Sequence, residues 1–214
     1  MKIHVFTLFP DIIDTYVGES ILGRGQKEKL LSVKSYQIRD FVENKWGKVD
    51  ERPYGGGPGM VLQAQPIIKG VEKIKKGMKG KVKVIISSPS GVQLTNAYAK
   101  KLTAYNDVII ICGRYEGIDA RVKKVLKAQE VSIGPYVLTG GELPALAIID
   151  AAARQIPGVL GKFESLEENR VSTSEMYSRP EVLVHKGKKY RVPKVLLSGN
   201  HGKIEQWKKA KKVK

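Results

Sequence analysis

Residues 107–112 read DVIIIC, and this short run decides the fold class of the chain. Every position from 108 to 112 is apolar, whereas a strand with one face in water alternates apolar and polar side chains. A continuously apolar run of this length is typical of a strand that is covered on both faces. The segment therefore predicts a strand inside a parallel sheet, between two layers of helices.

Strand-like and helical segments alternate on both sides of this run. Strand-like patterns occupy residues 2–9, 32–39, 81–87 and 131–133. Apolar residues at helical spacing occupy residues 11–17, 20–31, 64–76, 94–105, 118–128 and 142–155. The alternation predicts an α/β fold, a mostly parallel sheet with helices on both faces. Ligands bind such sheets at the carboxyl ends of the strands, so the loops after Ser87, Cys112 and Ile133 are the expected site.

The charge of the chain favours an acidic partner. Lys and Arg together number 38 and Asp and Glu 21, which gives a formal net charge of +17 over 214 residues. Nucleic acid is the first candidate partner and an anionic membrane surface the second. A lysine-rich surface that only keeps the protein in solution is the alternative. Basic residues are denser after Gly161, and residues 200–214 have the pattern of a basic helix with Trp207 on one face.

Several classes of protein are excluded by what the sequence contains. Cys112 is the single cysteine, so one chain can build neither a disulfide framework nor a multi-cysteine metal site. The three histidines, at positions 4, 185 and 201, have no ligand spacing, and no metal site is expected. No run approaches the 18 apolar residues of a membrane span, and no secretory signal is visible, so the cytoplasm is the simplest compartment.

Four irregular segments are the candidates for chemistry. Residues 50–60 (DERPYGGGPGM) are glycine-rich but lack the Gly-Lys-Ser/Thr of a phosphate-binding loop, and a plain flexible loop is the alternative. Residues 88–91 (SPSG) and 113–121 (GRYEGIDAR) each follow a strand and precede a helix, as ordinary turns also do. Residues 132–144 (SIGPYVLTGGELP) are too rich in Gly and Pro to be regular helix or strand throughout.

Together these segments resemble those of the bacterial tRNA (guanine-37-N1)-methyltransferases, which belong to the SPOUT methyltransferases. The resemblance covers nearly the whole chain. Its matching stretches are residues 50–60, 88–91, 113–121, 132–160 and 177–207, the last with YSRPEV and VPKVLLSGNH.

The resemblance implies a particular architecture. The family's parallel sheet carries a deep C-terminal trefoil knot, and a small helical C-terminal domain follows, here in abbreviated form. The implied domains are residues 1–161 for the knotted cofactor-binding domain, 162–176 for a flexible linker and 177–214 for a short basic tRNA-binding domain. The family works as a homodimer in which one subunit's pocket is completed by the other's linker and C-terminal domain.

The resemblance also implies that the knot loops hold S-adenosylmethionine. Carried over residue by residue, the pocket consists of Pro89, Gly113, Tyr115, Glu116, Ser132, Ile133, Gly134, Pro135, Tyr136, Val137, Leu138, Gly140, Gly141 and Pro144. A wall rich in Gly and Pro offers the apolar surface and backbone hydrogen bonds that an adenine ring needs. The family usually has Asp where this chain has Pro135, and proline removes a charge and a backbone donor.

The implied reaction is methyl transfer to N1 of guanine 37 in tRNA. N1 carries a proton, so the site needs a carboxylate to accept it and a cation to stabilise the charge that develops towards O6. Arg154 matches the catalytic arginine of the family, although a basic residue at a helix end also has a purely structural explanation. The family's linker aspartate aligns with Asn169, which cannot act as a base.

Glu168, beside Asn169, is the hypothesised base. Glu167 and Glu175 are further options, and a solvated acidic linker with no catalytic role is the alternative. For RNA the implied contacts are Arg52, Gly55, Gly56, Gly57, Ser198, Asn200 and His201. His201 can equally be a structural cap. Two other functions remain open: an RNA-binding relative without catalysis, and a methyltransferase for a different RNA.

Overall fold

The computed structural model describes residues 1–160 and 175–211, and the chain divides into two compact units, Met1–Val159 and Leu160–Lys214. The strands of the first unit are β1 (Lys2–Thr7), β2 (Ser32–Gln37), β3 (Asp50–Glu51), β4 (Val61–Leu62), β5 (Val82–Gln93), β6 (Asp107–Ile111) and β7 (Gln129–Ser132). Its helices are α1 (Pro10–Gly18), α2 (Ser20–Lys27), α3 (Ala64–Lys75), α4 (Asn96–Leu102), α5 (Arg121–Leu126) and α6 (Glu142–Ala153).

Five of these strands form one sheet with the order β2-β1-β6-β5-β7, and every pairing is parallel. The apolar run that decided the fold class is strand β6, near the centre of the sheet. Val108 and Ile110 pack into a core with residues of α1, α4 and α6, while Ile109 and Ile111 pack into a second core with residues of α3 and α5. The predicted α/β fold, with helices on both faces of a parallel sheet, is confirmed.

Strand β5 is longer than the sequence predicts. The SPSG segment was expected to be a turn before a helix, but β5 continues to Gln93 and pairs with β7 on both sides of a register shift between Ser87 and Val92. Gly91 explains the continuation, because a Cβ there would collide with the backbone of Glu130 and Val131 in β7. Residues 88–91 therefore bulge out of a continuing strand, so the expectation of a simple turn was wrong.

The second unit contains a hairpin that the sequence analysis missed. Strands β8 (Val182–His185) and β9 (Lys188–Arg191) are antiparallel, and their turn places Lys186 and Gly187 at φ 48° and 74°, as a two-residue hairpin turn requires. Helices α7 (Lys194–Leu197) and α8 (His201–Ala210) follow, and α8 is the predicted basic helix. Within the described residues no helix is long and apolar enough to cross a membrane.

Candidate functional site

The three loops that the sequence analysis selected line one cavity of about 530 Å³. They are the bulge of β5, the loop after β6 and the loop between β7 and α6, and they meet at the carboxyl edge of the sheet, as parallel topology predicts. All the residues expected to hold the cofactor line this cavity except Pro135, which is exposed. The aspartate-to-proline departure therefore lies outside the cavity wall.

Gly141 brings two of these loops into contact. Its backbone N–H donates a 2.8 Å hydrogen bond to the carbonyl of Gly113. A Cβ at position 141 would lie 2.6 Å from both the Cα of Cys112 and the backbone nitrogen of Gly113. Only glycine allows this approach, so the Gly-Gly pair before α6 has a steric reason in the wall of the cavity.

The glycine-rich segment is attached to the same cavity. The N–H of Glu116 donates to the carbonyl of Met60 at 2.9 Å, and the N–H of Leu62 donates to the carbonyl of Gly117 at 3.0 Å. Tyr115, immediately before Glu116 and Gly117, has a φ of 60°, which is uncommon for a non-glycine residue. The loop after β6 is thus held between the sheet and the glycine-rich segment.

A buried carboxylate links the two loops on the other side of the cavity. Glu142, in the first turn of α6, accepts a 2.6 Å hydrogen bond from the Thr7 hydroxyl and a 3.1 Å bond from Nε of Arg114. Arg114 also donates to the carbonyl of Thr139 at 3.3 Å and lies over the ring of Phe9 at 4.5 Å. The sequence analysis missed this network, because its members lie far apart in the chain and belong to no motif.

Asp119 in the cavity wall and Cys112 in the core beneath it have shifted pKa values. The Arg121 guanidinium, hydrogen-bonded to Asp119, lowers the pKa of that carboxyl, so Asp119 is ionised at neutral pH. Burial raises the pKa of the Cys112 thiol well above its usual value, and the carboxylate of Glu142 adds to the effect. Cys112 is therefore a neutral core residue.

Arg154 lies away from the cavity of its own chain. It is the residue after the last turn of α6, whereas Glu142 at the first turn borders the cavity wall. At 1.5 Å per residue the two positions are roughly 18 Å apart along the helix. Within the described residues the Arg154 side chain has no hydrogen bond or ion pair. One chain alone therefore does not bring this arginine to the cavity.

Of the candidate bases, the structure describes Glu175. Glu167, Glu168 and Asn169 lie outside the described residues. Glu175 is described, and it accepts hydrogen bonds from Lys211 at 2.8 Å and from the Tyr177 hydroxyl at 3.1 Å. Lys211 lowers the pKa of Glu175, which makes this carboxylate a weaker proton acceptor.

The residues expected to contact RNA fall into two groups. Arg52, Gly55, Gly56 and Gly57 lie on the exposed glycine-rich loop of the first unit, and the three glycines have positive φ angles. In the second unit, Ser198 follows the last residue of α7, and Asn200 and His201 lie at the start of α8. The Asn200 side chain accepts from the N–H of Lys203 at 3.1 Å, so Asn200, rather than His201, caps the helix.

The fold and the cavity define a parallel α/β protein with a loop-lined ligand site at the carboxyl edge of its sheet. A family model described as tRNA (Guanine-1)-methyltransferase TrmD matches residues 1–214, and the chain belongs to this family.

Relatives from several bacteria extend over nearly the whole chain, and each is named tRNA (guanine-N(1)-)-methyltransferase. The one from Ruminiclostridium cellulolyticum is 47% identical over 211 residues, covering 97% of this chain and 89% of the relative. Those from Desulforamulus reducens and Clostridioides difficile are 44% and 42% identical, covering 98% and 100% of this chain and 83% and 93% of their own.

Proposed function

We propose that this chain transfers a methyl group from S-adenosylmethionine to N1 of guanine 37 in tRNA. The observation that carries the proposal is the convergence of three loops on one cavity in a chain that matches tRNA (guanine-N1)-methyltransferases over nearly its full length. The net charge of +17 also suits an acidic RNA substrate.

The cavity has the features that the proposed methyl donor needs. Its volume of about 530 Å³ lies in the usual range for ligands of this size. Ile133, Tyr136 and Leu138 supply an apolar wall, and Gly113 and Gly141 line the cavity without side chains that would fill it. The mutual hydrogen bonds of Ser132 and Gly134, at 2.9 and 3.2 Å, hold the start of this wall in place.

The proposed reaction needs a group that accepts the N1 proton and a cation that stabilises the charge on the guanine. When bound, S-adenosylmethionine supplies a methyl group on a sulfonium, which leaves as a neutral thioether. As the N1–methyl bond forms, the N1 proton must move to a carboxylate, because otherwise the purine would keep a positive charge. We assign that carboxylate to Glu168. Arg154 stabilises the negative charge that develops towards O6 of the guanine.

The position of Arg154 supports a homodimer with shared active sites. This arginine follows the last turn of α6, roughly 18 Å from the turn that borders the cavity, and a second copy's pocket is where we propose that it meets the methyl donor. Ile12, Tyr16 and Leu143 are exposed apolar side chains on α1 and α6, and the Tyr16 hydroxyl ties these two helices together through Asp150 at 3.1 Å. Such a surface is suited to a second copy.

The trefoil knot is part of the same proposal. Strand β7 is at the edge of the sheet, and the chain that leaves it returns across the end of β5 until Gly141 contacts Gly113 after β6. This return path supports threading of the α6 segment through the neighbouring loops. The basic second unit, with α8, is proposed to contribute tRNA contacts through Ser198, Asn200 and His201.

The test is a methyl-transfer assay with the purified chain. Labelled S-adenosylmethionine is incubated with an unmodified tRNA transcript that has guanine at position 37, and the product is digested to nucleosides. The proposal predicts label in 1-methylguanosine, and none when adenine replaces guanine 37. Label in another nucleoside, or transfer that is indifferent to position 37, would contradict it.

A further inference from the structure

A second, larger depression lies beside the cofactor cavity. It is formed by the glycine-rich loop, by one side of α3 and by the start of α5, and its volume is about 1460 Å³. Pockets for small ligands usually measure about 300–1,000 Å³, so an open groove of this size fits an extended chain better than a small molecule.

Lysines of α3 form a stripe along this groove. Lys69, Lys73 and Lys76 are exposed and lie at positions i, i+4 and i+7, which places them on one side of the helix. The Lys69 ammonium is paired with Glu43 at 2.8 Å. The Lys73 ammonium lies over the Phe41 ring at 5.9 Å, and neither Lys73 nor Lys76 has an ion pair within the described residues. Both charges can therefore still be neutralised by an outside anion.

The opposite wall adds two arginines to the groove. Arg52 and Arg121 face the groove, and of its three carboxylates, those of Glu51 and Asp119 are already paired with Lys48 and Arg121. The remaining carboxylate, Glu72, is outnumbered by Lys73 and Lys76. The unpaired charge of the groove is therefore positive, which suits a chain of phosphates.

An aromatic ring stands at the edge of the groove. The Tyr54 side chain is fully exposed, at 100%, and Gly55 follows it with a φ of 87°. Unpaired bases stack on such rings, and the stacking tolerates any base because every base has a π face.

The groove is continuous with the cofactor cavity. Ile118, Asp119 and Ala120 line both, so the two share one wall. An RNA strand with its target base at the mouth of the cavity, beside the methyl donor, would have neighbouring nucleotides in the groove.

We infer that this groove binds the tRNA strand beside the target base. Lys73 and Lys76 bind phosphates, and Tyr54 stacks on an unpaired base. The inference rests on the proposed function, since it takes tRNA as the substrate, and it adds a binding surface along α3 that lies outside the methyl-transfer cavity.

The first test compares two double variants. Lys73→Gln/Lys76→Gln removes the proposed phosphate contacts, and Lys100→Gln/Lys101→Gln removes two exposed lysines from the last turn of α4 as a matched control. The Kd for tRNA is measured by fluorescence anisotropy over a series of salt concentrations. We expect the first variant to bind roughly tenfold more weakly, with a salt slope lower by about 1–2, and the control to match the wild type. Equal Kd values and slopes for the two variants would overturn the inference.

The second test addresses the ring. Tyr54→Ala is expected to weaken tRNA binding by about 1–3 kcal/mol, roughly five- to 150-fold, while Tyr54→Phe keeps the wild-type Kd. Loss in both variants, or in neither, would contradict stacking. Methyl transfer by the wild type is measured in parallel. If the wild type methylates guanine 37 but the Lys73/Lys76 variant binds tRNA normally, the groove alone is refuted. If the wild type transfers no methyl group, the proposed function is refuted.

Discussion

The Arg114 guanidinium lies 3.0 Å from a carboxylate oxygen of Glu142, whose side chain is only 4% exposed. Because Arg114 also donates to the carbonyl of Thr139, this ion pair ties the loop after β6 to the loop before α6. Both loops line the proposed methyl-donor cavity. The shape of the cavity thus depends on the carboxylate of Glu142, even if this carboxylate does not contact the ligand.

Glu142→Gln is therefore expected to weaken methyl-donor binding. Glutamine keeps the shape and can accept hydrogen bonds, but it leaves Arg114 without a counter-charge in a poorly solvated place. We expect the Kd for S-adenosylhomocysteine to rise roughly tenfold and the free energy of unfolding to fall by about 2–4 kcal/mol. Calorimetry well below the unfolding temperature separates the two effects.

The control for that variant is Glu205→Gln, which removes an exposed i,i+4 partner of Lys209. Exposed pairs contribute about 0–1 kcal/mol, so this variant is expected to match the wild type in both measurements. If Glu142→Gln behaved like Glu205→Gln, the ion pair would have no part in shaping the cavity.

Mixed dimers test whether Arg154 acts on the partner's pocket. Arg154→Ala and Gly141→Ala are each expected to be inactive alone, the first for lack of the cation and the second for lack of a cavity. In a mixed dimer one site combines an intact pocket with the partner's intact Arg154, so activity should return when the two variants are refolded together. Absence of any recovery, with mixed dimers present by mass spectrometry, would show that Arg154 serves its own chain.

Glu168→Gln tests the assignment of the base. Loss of a general base typically costs about 10²–10⁴ in rate, and we expect that loss in single-turnover methyl transfer. Glu167→Gln is the neighbouring control and should stay within a few-fold of the wild type. The reverse pattern would move the role to Glu167, and two near-normal rates would remove the base from this pair.

The buried thiol gives a prediction for pH. Since burial raises the pKa of Cys112, the folded chain keeps this thiol protonated at pH values where the unfolded chain has begun to ionise. Its contribution to stability is therefore complete below the usual thiol pKa of about 8.5 and declines as the pH rises above it. Iodoacetamide at pH 8.5 should leave the native chain unmodified and alkylate it in guanidinium. Rapid alkylation of the native chain would contradict this burial.

The sequence predicted the sheet well because its strands have distinctive composition. The continuous apolar run of β6 needs apolar neighbours on both faces of the sheet, which helices on both sides provide. Parallel topology then places the loops after Cys112 and Ile133 at one edge of the sheet. The extension of β5 could not be foreseen, because it depends on how Gly91 fits against β7, a contact between distant segments.

The hydrogen-bonded network around Glu142 could not be predicted from the sequence, for a related reason. Thr7, Arg114 and Glu142 carry no spacing signal, and only the folded sheet brings them together. The hairpin of the second unit has a weaker signal in the sequence, since Lys186 and Gly187 separate two short segments that contain valine and tyrosine. The resemblance to a family supplied the residue roles, which local patterns alone do not specify.

The central claim is that the cavity between the three loops binds the methyl donor, and calorimetric titration of S-adenosylmethionine tests it most directly. The wild type should show saturable binding. Gly141→Ala should bind at least about tenfold more weakly, because a methyl group there meets the backbone of Cys112 and Gly113. Gly18→Ala, which meets nothing within 4 Å, should bind as the wild type does. No uptake by the wild type, or equal uptake by all three proteins, would contradict the claim.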